Sequence, residues 1–524
     1  MKFLTWLGIK VVFADIMSLQ RLSPFLIFFF AFLCSAHGSE RINPAGIRGT
    51  IILSSDPVND ESLKKFSDFS GDEAKILVLA LDGSKTSRDH AATIREKVSK
   101  ERVKGINLLT LESDKVQENI EAANGLWLVG QVPDSLINCK YLDSIKSLIN
   151  RRAVLGAGGK LIEGFGISGS DLFPGAEIRH SPAKKLKQKK GTVLYDFAKG
   201  SSLILRGRAM RLLNEGEISI TLAASDARKE KKIILSEESR VADLTALRFA
   251  AIARNGPNFP AKKLSDPRVE KGTLIIIGGG PMPRSVTKRF IQIAGGDQSS
   301  IVVLPTAVPD SMVKDSGAIA NAFRKFGAKE VTVLSGRTFS EVDGDKYIKV
   351  LKRATGIWFG GGRQWRFVDA YHSTKALGLM REVLKKGGVI MGSSAGASIQ
   401  AEYLVRGNPL GNQDMMAEGY EKGLGFLKGV AIDQHFAERN RFKDLSSVLD
   451  RFPQILGIGI DEGTALLVKG PVGSVLGKGQ VHFYDRRKET SEEDKDYESV
   501  GSGGRYQLVQ RKVLNFGKVE EKKD

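Results

Sequence analysis

The sequence predicts an α/β protein made of two similar halves, each built on a largely parallel sheet. Three observations carry that expectation. Apolar runs of strand length alternate with helix-period stretches along the chain. The runs are near-continuous in Ile, Val and Leu, as strands covered on both faces are. The order of segments in the first half also recurs in the second.

Before the first strand, Arg21 precedes the apolar run "LSPFLIFFFAFLCSA", which ends in small residues near Ala36 and Gly38. That is signal-peptide anatomy, too short for a comfortable membrane span, and predicts a cleaved segment 1–38 and an exported mature chain, the alternative being an uncleaved N-terminal anchor. Met17 gives this segment a better-proportioned start than Met1. Leu33 sits where a lipoprotein signal needs a small residue before Cys34. Once the segment is removed, Cys139 is the remaining thiol, so the mature fold rests on its core and not on disulfides.

The first half, 41–254, then reads "RGTIILSS", "AKILVLAL", "INLLTLES", "NGLWLVG" and "RAVLGAG" as strands. A Pro/Gly/Lys-rich linker, 255–271, separates it from the second half, 272–488. There the strands are "GTLIIIG", "SIVVLP", "EVTVLS", "GIWFGG" and "GGVIMG", with helices such as "FVDAYHSTKALGLMREVLKKG" between them. Trp127 in "GLWLVGQ" matches Trp358 in "GIWFGGG", Gly158 matches Ser394, and Lys199 matches Glu462 in a gap-free segment. The spacing between matched residues grows along the chain, as in a duplication whose loops have lengthened. From 489 to 524 a charged tail is expected, with one last strand, "RYQLVQ".

Composition narrows the function classes. The 524 residues are 41% apolar and 27% charged, enough to build buried cores. Six histidines and two cysteines without CxxC spacing predict no metal site. No P-loop or dinucleotide fingerprint is present, "GGGPMP" included, so no organic cofactor is expected. Lys and Arg outnumber Asp and Glu 79 to 60, a net charge of +19. The densest basic run, "SPAKKLKQKKG", lacks interleaved aromatics, which argues for a solvated loop or an anionic surface and against nucleic acid.

The chemistry centres on "GSSAG", which fits G-x-S-x-G at Gly392, Ser394 and Gly396, between a buried strand and a helix. A serine at such a corner is pushed outward above a helix N-terminus, where free backbone N–H groups stabilise negative charge on an attacked oxygen. The neighbours are small because strand and helix backbones converge there. Ser393 is the lesser candidate. The hydroxyl needs a base. His482, in the alternating "GQVHFYD", reads as structural. His435 follows an apolar strand and stands among Asp433, Gln434, Arg439 and Arg441, at the sheet edge where α/β sites assemble. An orienting carboxylate comes from the turn "IDEG", where Asp461 and Glu462 are both open.

Together, "GTLIIIGGG", "WFGGGRQWR", "MGSSAGA", "DQHFAERNR" and "GIGIDEGTALLV" resemble the cyanophycinase and aspartyl dipeptidase family of serine peptidases. The resemblance spans Gly272 to Tyr484 and, more faintly, the first half. It implies two flavodoxin-like three-layer domains of the class I glutamine amidotransferase type. It also implies Ser394 as nucleophile, His435 as base and Glu462 as the orienting acid. Gln364, Asp433, Gln434, Arg439 and Arg441 then line the substrate site, the arginines facing a substrate carboxylate and Asp433 an arginine-like cation. Backbone N–H groups near Gly361 and Ala395 are the expected oxyanion donors. Two residues depart from the family pattern: Arg363 replaces an Asn or Asp, and Asp444 replaces an arginine, reversing charge near the pocket.

The resulting expectation is an exported serine peptidase that cleaves peptide or isopeptide bonds at aspartyl residues, on a peptide or cyanophycin-like polypeptide. It has no stable membrane span after signal cleavage. Its first half is an inactive repeat, expected either to pack against the active half as an intramolecular pseudo-dimer partner or to bind substrate or a surface through its lysines. The alternatives are an aspartyl dipeptidase or amidase of the same fold, or a non-enzymatic module that binds an anionic polymer.

Overall fold

The computed structural model describes residues 42–99, 103–180, 188–239, 241–488 and 495–517. The expected signal segment, most of the lysine run and part of the charged tail lie outside these described residues.

Five parallel strands form the spine of the first half: Thr50–Ser54, Ala74–Ala80, Val103–Thr110, Gly125–Val129 and Val154–Gly158. Numbered by sequence, they lie side by side in the order 3-2-4-5-1. Beyond strand 1, Ser202–Arg206 continues the sheet antiparallel, followed by Ala209–Leu212 and Val241–Asp243. The second half draws the same order with Val269–Ile277, Ser300–Leu304, Glu330–Val333, Gly356–Phe359 and Val389–Ser393. Thr464–Gly470 and Val472–Gly477 then run antiparallel beside its first strand.

This order corrects the flavodoxin-like expectation, whose strands run 2-1-3-4-5. Here the first strand is inserted between the fifth and an antiparallel extension. Each half also carries a smaller second sheet that periodicity did not predict: four strands in the first half and five in the second. These strands are short and only partly apolar, as in "AEIRH", so their pairing depends on distant partners.

The main sheets are covered on both faces, as the continuous apolar runs predict. Along Val269–Ile277, Leu274 and Ile276 join one buried cluster while Ile275 and Ile277 join another. Ile51 and Ile52 divide in the same way in the first half. The helix Arg284–Ile293 contributes Val286 and Phe290 to one face, and the helix Lys375–Lys385 contributes Leu377 and Met380 to the other. Among the described residues, no helix is long and apolar enough to cross a membrane.

The expected tail is part of the fold from Lys495 to Gly517. Glu498–Val500 joins the small sheet, and Arg505–Gln507 pairs with Val472–Gly477 in the main sheet. Tyr506, fully buried, stacks on Phe483 with ring centroids 3.7 Å apart, which anchors this charged segment.

Partly buried ion pairs join the two halves. Arg208 donates to Asp243 from its own half and to Asp369 from the other, at 2.6 Å each, and lies 4.6 Å over the Trp365 ring. Arg254 donates to Glu418 at 2.6 Å, and Arg228 to Glu421 at 2.6 Å. Guanidinium groups suit this role because they keep their charge and bond in a planar fork.

Candidate active site

The strand Val389–Ser393 ends in a corner, and the helix Ala395–Ser398 starts directly after it. Ser394 holds the corner at φ 56° and ψ −117°, a sparsely populated conformation for an L-residue. The small neighbours have a steric reason: a Cβ on Gly396 would collide with the carbonyl of Phe359, and one on Gly392 with that of Gly396. Ser394 N–H donates to the Ile277 carbonyl at 3.1 Å, which ties the corner to the neighbouring strand.

His435 also has a left-handed backbone, at φ 51°, immediately after the strand Leu427–Gln434. Its N–H donates to the Gly278 carbonyl at 2.6 Å, which aims the ring at the corner. Nε2 lies 2.9 Å from Ser394 Oγ, and Nδ1 is hydrogen-bonded to the Glu462 carboxylate. A proton on Nδ1 facing the carboxylate leaves Nε2 as the acceptor for the serine hydroxyl. Three residues from different parts of the second half thus meet in one chain of hydrogen bonds. Ser393 is outside it.

Asp461, the rival carboxylate, turns the other way. It accepts from His482 Nε2 at 3.1 Å, from Ala437 N–H at 3.1 Å and from Gln480 N–H at 3.0 Å. Burial works to raise its pKa, but these bonds and the His482 charge outweigh burial and hold it below the usual carboxylate range. His482 is itself buried and bonded to Ser499, a structural position.

Gly361 lies against the corner: a Cβ on it would sit 3.4 Å from the Ser394 Cβ. The backbone N–H groups of Gly361 and Ala395 have no hydrogen-bond acceptor among the described residues. They are available to an oxygen arriving at Ser394.

The residues expected to line the substrate site divide differently. Arg439 is exposed, and Gln364 is buried, its amide donating to the Val405 carbonyl at 3.0 Å. Asp433 and Arg441 correct the expectation that they face substrate charges. Asp433 is fully buried; it accepts from Arg406 at 3.1 Å and from Arg441 at 3.0 Å. Arg441 also donates to the Gln434 carbonyl at 2.7 Å, which occupies its fork inside the protein. Gln434 is buried, with its side-chain carbonyl unpartnered.

Arg406 is the residue that sequence reasoning missed. It is 2% exposed and also donates to Asp444 at 2.6 Å. Asp444 therefore adds no bare negative charge near the pocket, correcting the expected charge reversal: its carboxylate is matched by Arg406. The one sequence signal was Asp444 itself, an acid where an arginine was expected. Arg363 donates to the Asn408 carbonyl at 2.7 Å, while its Nε is buried without a partner, and burial lowers its pKa.

Superposing the two halves by strand register corrects one sequence match. Ser54 opposes Gly158 as Ile277 opposes Ser393, so Gly159, not Gly158, stands where Ser394 does. Ser54 opposes Ser202 as Ile277 opposes Ala465, which keeps Lys199 in the place of Glu462. His180 falls at the position of Gln434, one residue short of His435.

The model of peptidase family S51 matches residues 273–475. A cyanophycinase from Geminocystis herdmanii is 31% identical over 221 residues, spanning 41% of this chain and 81% of its own length. A cyanophycinase from Synechococcus elongatus is 33% identical over 227 residues, spanning 41% of this chain and 69% of its own. Among solved structures, a peptidase from an acI-B1 Actinobacterium is 20% identical with a TM-score of 0.37, covering 46% of this chain and 98% of its own.

Proposed function

This chain belongs to peptidase family S51, and from that premise we propose that it is a serine peptidase in which Ser394, His435 and Glu462 act as the catalytic triad. The observation that carries the reading is the 2.9 Å approach of His435 Nε2 to Ser394 Oγ, with Nδ1 held by Glu462.

The chemistry follows from that geometry. His435 takes the Ser394 proton as Oγ attacks the scissile carbonyl carbon. The oxyanion is received by the N–H groups of Gly361 and Ala395, preorganised by the corner and by the Gly-rich turn before Gln364. The imidazolium then protonates the leaving nitrogen, the C–N bond breaks and an ester to Ser394 remains. His435 next deprotonates a water whose oxygen attacks the ester carbon, then gives that proton to Ser394 Oγ as the C–Oγ bond breaks and a carboxylate is released.

The relatives' names suggest the substrate class: a peptide or isopeptide bond at an aspartyl residue, as in a cyanophycin-like polypeptide. With Asp433 and Arg441 engaged internally, exposed Arg439 and partly buried Arg363 are left to meet substrate charge. The first half belongs to the same reading as an inactive copy. The repeated strand order supports duplication, the Gly159 and Lys199 replacements support an inactive copy, and the Arg208, Arg228 and Arg254 ion pairs support an in-chain pseudo-dimer. Export through the N-terminal apolar run completes it, testable by fractionation of the full-length chain.

The test compares wild type with Ser394→Ala on cyanophycin, β-Asp-Arg and a panel of α-Asp dipeptides. Product from wild type and none from the variant supports the triad and identifies the substrate. Undiminished turnover by Ser394→Ala overturns it.

A further inference from the structure

In the first half, a cavity of about 540 Å³ opens at the place the active site occupies in the second. Gly159, Lys199 and Gly130 line it, the register counterparts of Ser394, Glu462 and Gly361. Asp56 lines it too. It follows the first strand by two residues, as Gly279 does in the second half, and Gly279 is the residue packed against the His435 ring. Asp56 thus sends a carboxylate into the space an imidazole fills in the other half. Its Oδ1 lies 2.9 Å from where a Cβ on Gly159 would stand. The hydroxyl, imidazole and carboxylate of one half are replaced by hydrogen, carboxylate and ammonium in the other.

This exchange removes the nucleophile but leaves a cavity with a defined polarity. The side chains of Asp56 and Lys199 have no ion-pair or hydrogen-bond partner among the described residues, and they do not pair with each other. Two unpaired opposite charges on one concave wall match a ligand that carries both signs. Leu63, Ile94, Val58 and Trp127 supply an apolar wall beside them. Trp127 is fully buried, and its indole N–H lacks a partner. The adjacent Cζ2 edge of that ring faces Gly158, another lining residue. The size lies within the range of small-molecule sites.

We infer that this cavity binds a zwitterionic amino acid or dipeptide with an apolar side chain. Asp56 takes the ammonium, Lys199 takes the carboxylate, and the side chain lies against Trp127 and Ile94. The site is proposed for binding alone: glycine at the serine position leaves it without the hydroxyl and imidazole pair of the other half. The inference goes beyond the peptidase reading and does not depend on it, because binding is measured here with Ser394 removed.

The experiment uses the full chain carrying Ser394→Ala, with binding followed by calorimetry and ligand-observed NMR. The probes are L-leucine, L-leucyl-L-leucine, N-acetyl-L-leucine, which lacks the ammonium, and L-leucinamide, which lacks the carboxylate. Leucine or the dipeptide binds, and each singly charged analogue binds about tenfold more weakly, the cost of one lost charged contact. Which of the two binds more tightly separates the amino-acid source from the peptide source.

Added to that background, Asp56→Asn weakens leucine and leucinamide and leaves N-acetyl-leucine unchanged. Lys199→Met weakens leucine and N-acetyl-leucine and leaves leucinamide unchanged. Both positions are exposed, so the fold is retained, and in the chain that keeps Ser394 peptidase turnover is unaffected by either change. No binding of leucine or the dipeptide at about 10 mM, weaker than any useful small-ligand affinity, overturns the inference. So does binding that ignores both variants, or equal binding of all four probes.

Discussion

Gly279 and His435 are packed so closely that the glycine has no room for a side chain. At φ 114°, a Cβ on Gly279 would fall inside the contact radius of the imidazole carbon Cε1. The Gly-rich end of the first strand of the second half therefore acts as the floor on which the proposed base lies. Gly279→Ala is expected to displace the ring and lower kcat by about 100-fold, since a shift of about 1 Å at a catalytic group costs that much. Steady-state kinetics, with circular dichroism to confirm folding, checks it; unchanged kcat would mean the ring is held by Glu462 alone.

Ser394 stores backbone strain at φ 56°. Ser394→Gly is expected to remove turnover and at the same time raise unfolding stability by about 1 kcal/mol, the lower end of the cost of such a conformation. Urea unfolding monitored beside activity measures both. Ser394→Ala keeps the strain and should show the loss without the gain.

Arg406 is the buried counter-charge of Asp433, and removing it leaves that carboxylate with Arg441 alone. Arg406→Met is expected to destabilise the protein by about 3–5 kcal/mol, the cost of a broken buried pair. Asp444→Asn, on the half-exposed side of the same guanidinium, should cost less than about 1 kcal/mol. Denaturant midpoints of the two variants test the contrast, and equal losses would contradict it.

His372 titrates at about 4, chiefly because burial disfavours its charged form, with Lys422 and Arg381 acting in the same direction. Its neutral ring donates from Nε2 to the Gly423 carbonyl at 3.2 Å. The folded pKa lies below the unfolded one, so between about 6.5 and about 4 the unfolded chain binds a proton that the folded chain does not. Stability from this group is therefore complete above that window and lost as pH falls through it, by an amount on the order of 3 kcal/mol. Unfolding free energies at pH 7 and pH 4.5 should differ less in His372→Gln than in wild type.

Much of the site was legible because its residues are marked by local requirements. A serine between Gly392 and Gly396 needs a sharp corner whatever surrounds it, and His435 directly follows an apolar strand, at a sheet edge. The choice between Asp461 and Glu462 was legible through the family resemblance and not from local chemistry, since adjacent residues in a turn point apart and the positions of His435 and His482 separate them. Arg406 left no trace of its own, because a lone arginine after a strand acquires meaning only from the two acids that meet it in space.

The sequence by itself determined the parallel strands of the main sheets, the serine corner and the rhyme between the halves, because periodicity and backbone sterics act over a few residues. Tertiary structure decided the 3-2-4-5-1 order, the second sheets, the internal pairing of Asp433 with Arg406 and Arg441, and the one-residue shift that puts Gly159 opposite Ser394. These depend on strand register and on charges brought together from far along the chain. Such contacts are fixed by packing and desolvation across the whole core, which no short stretch of sequence encodes.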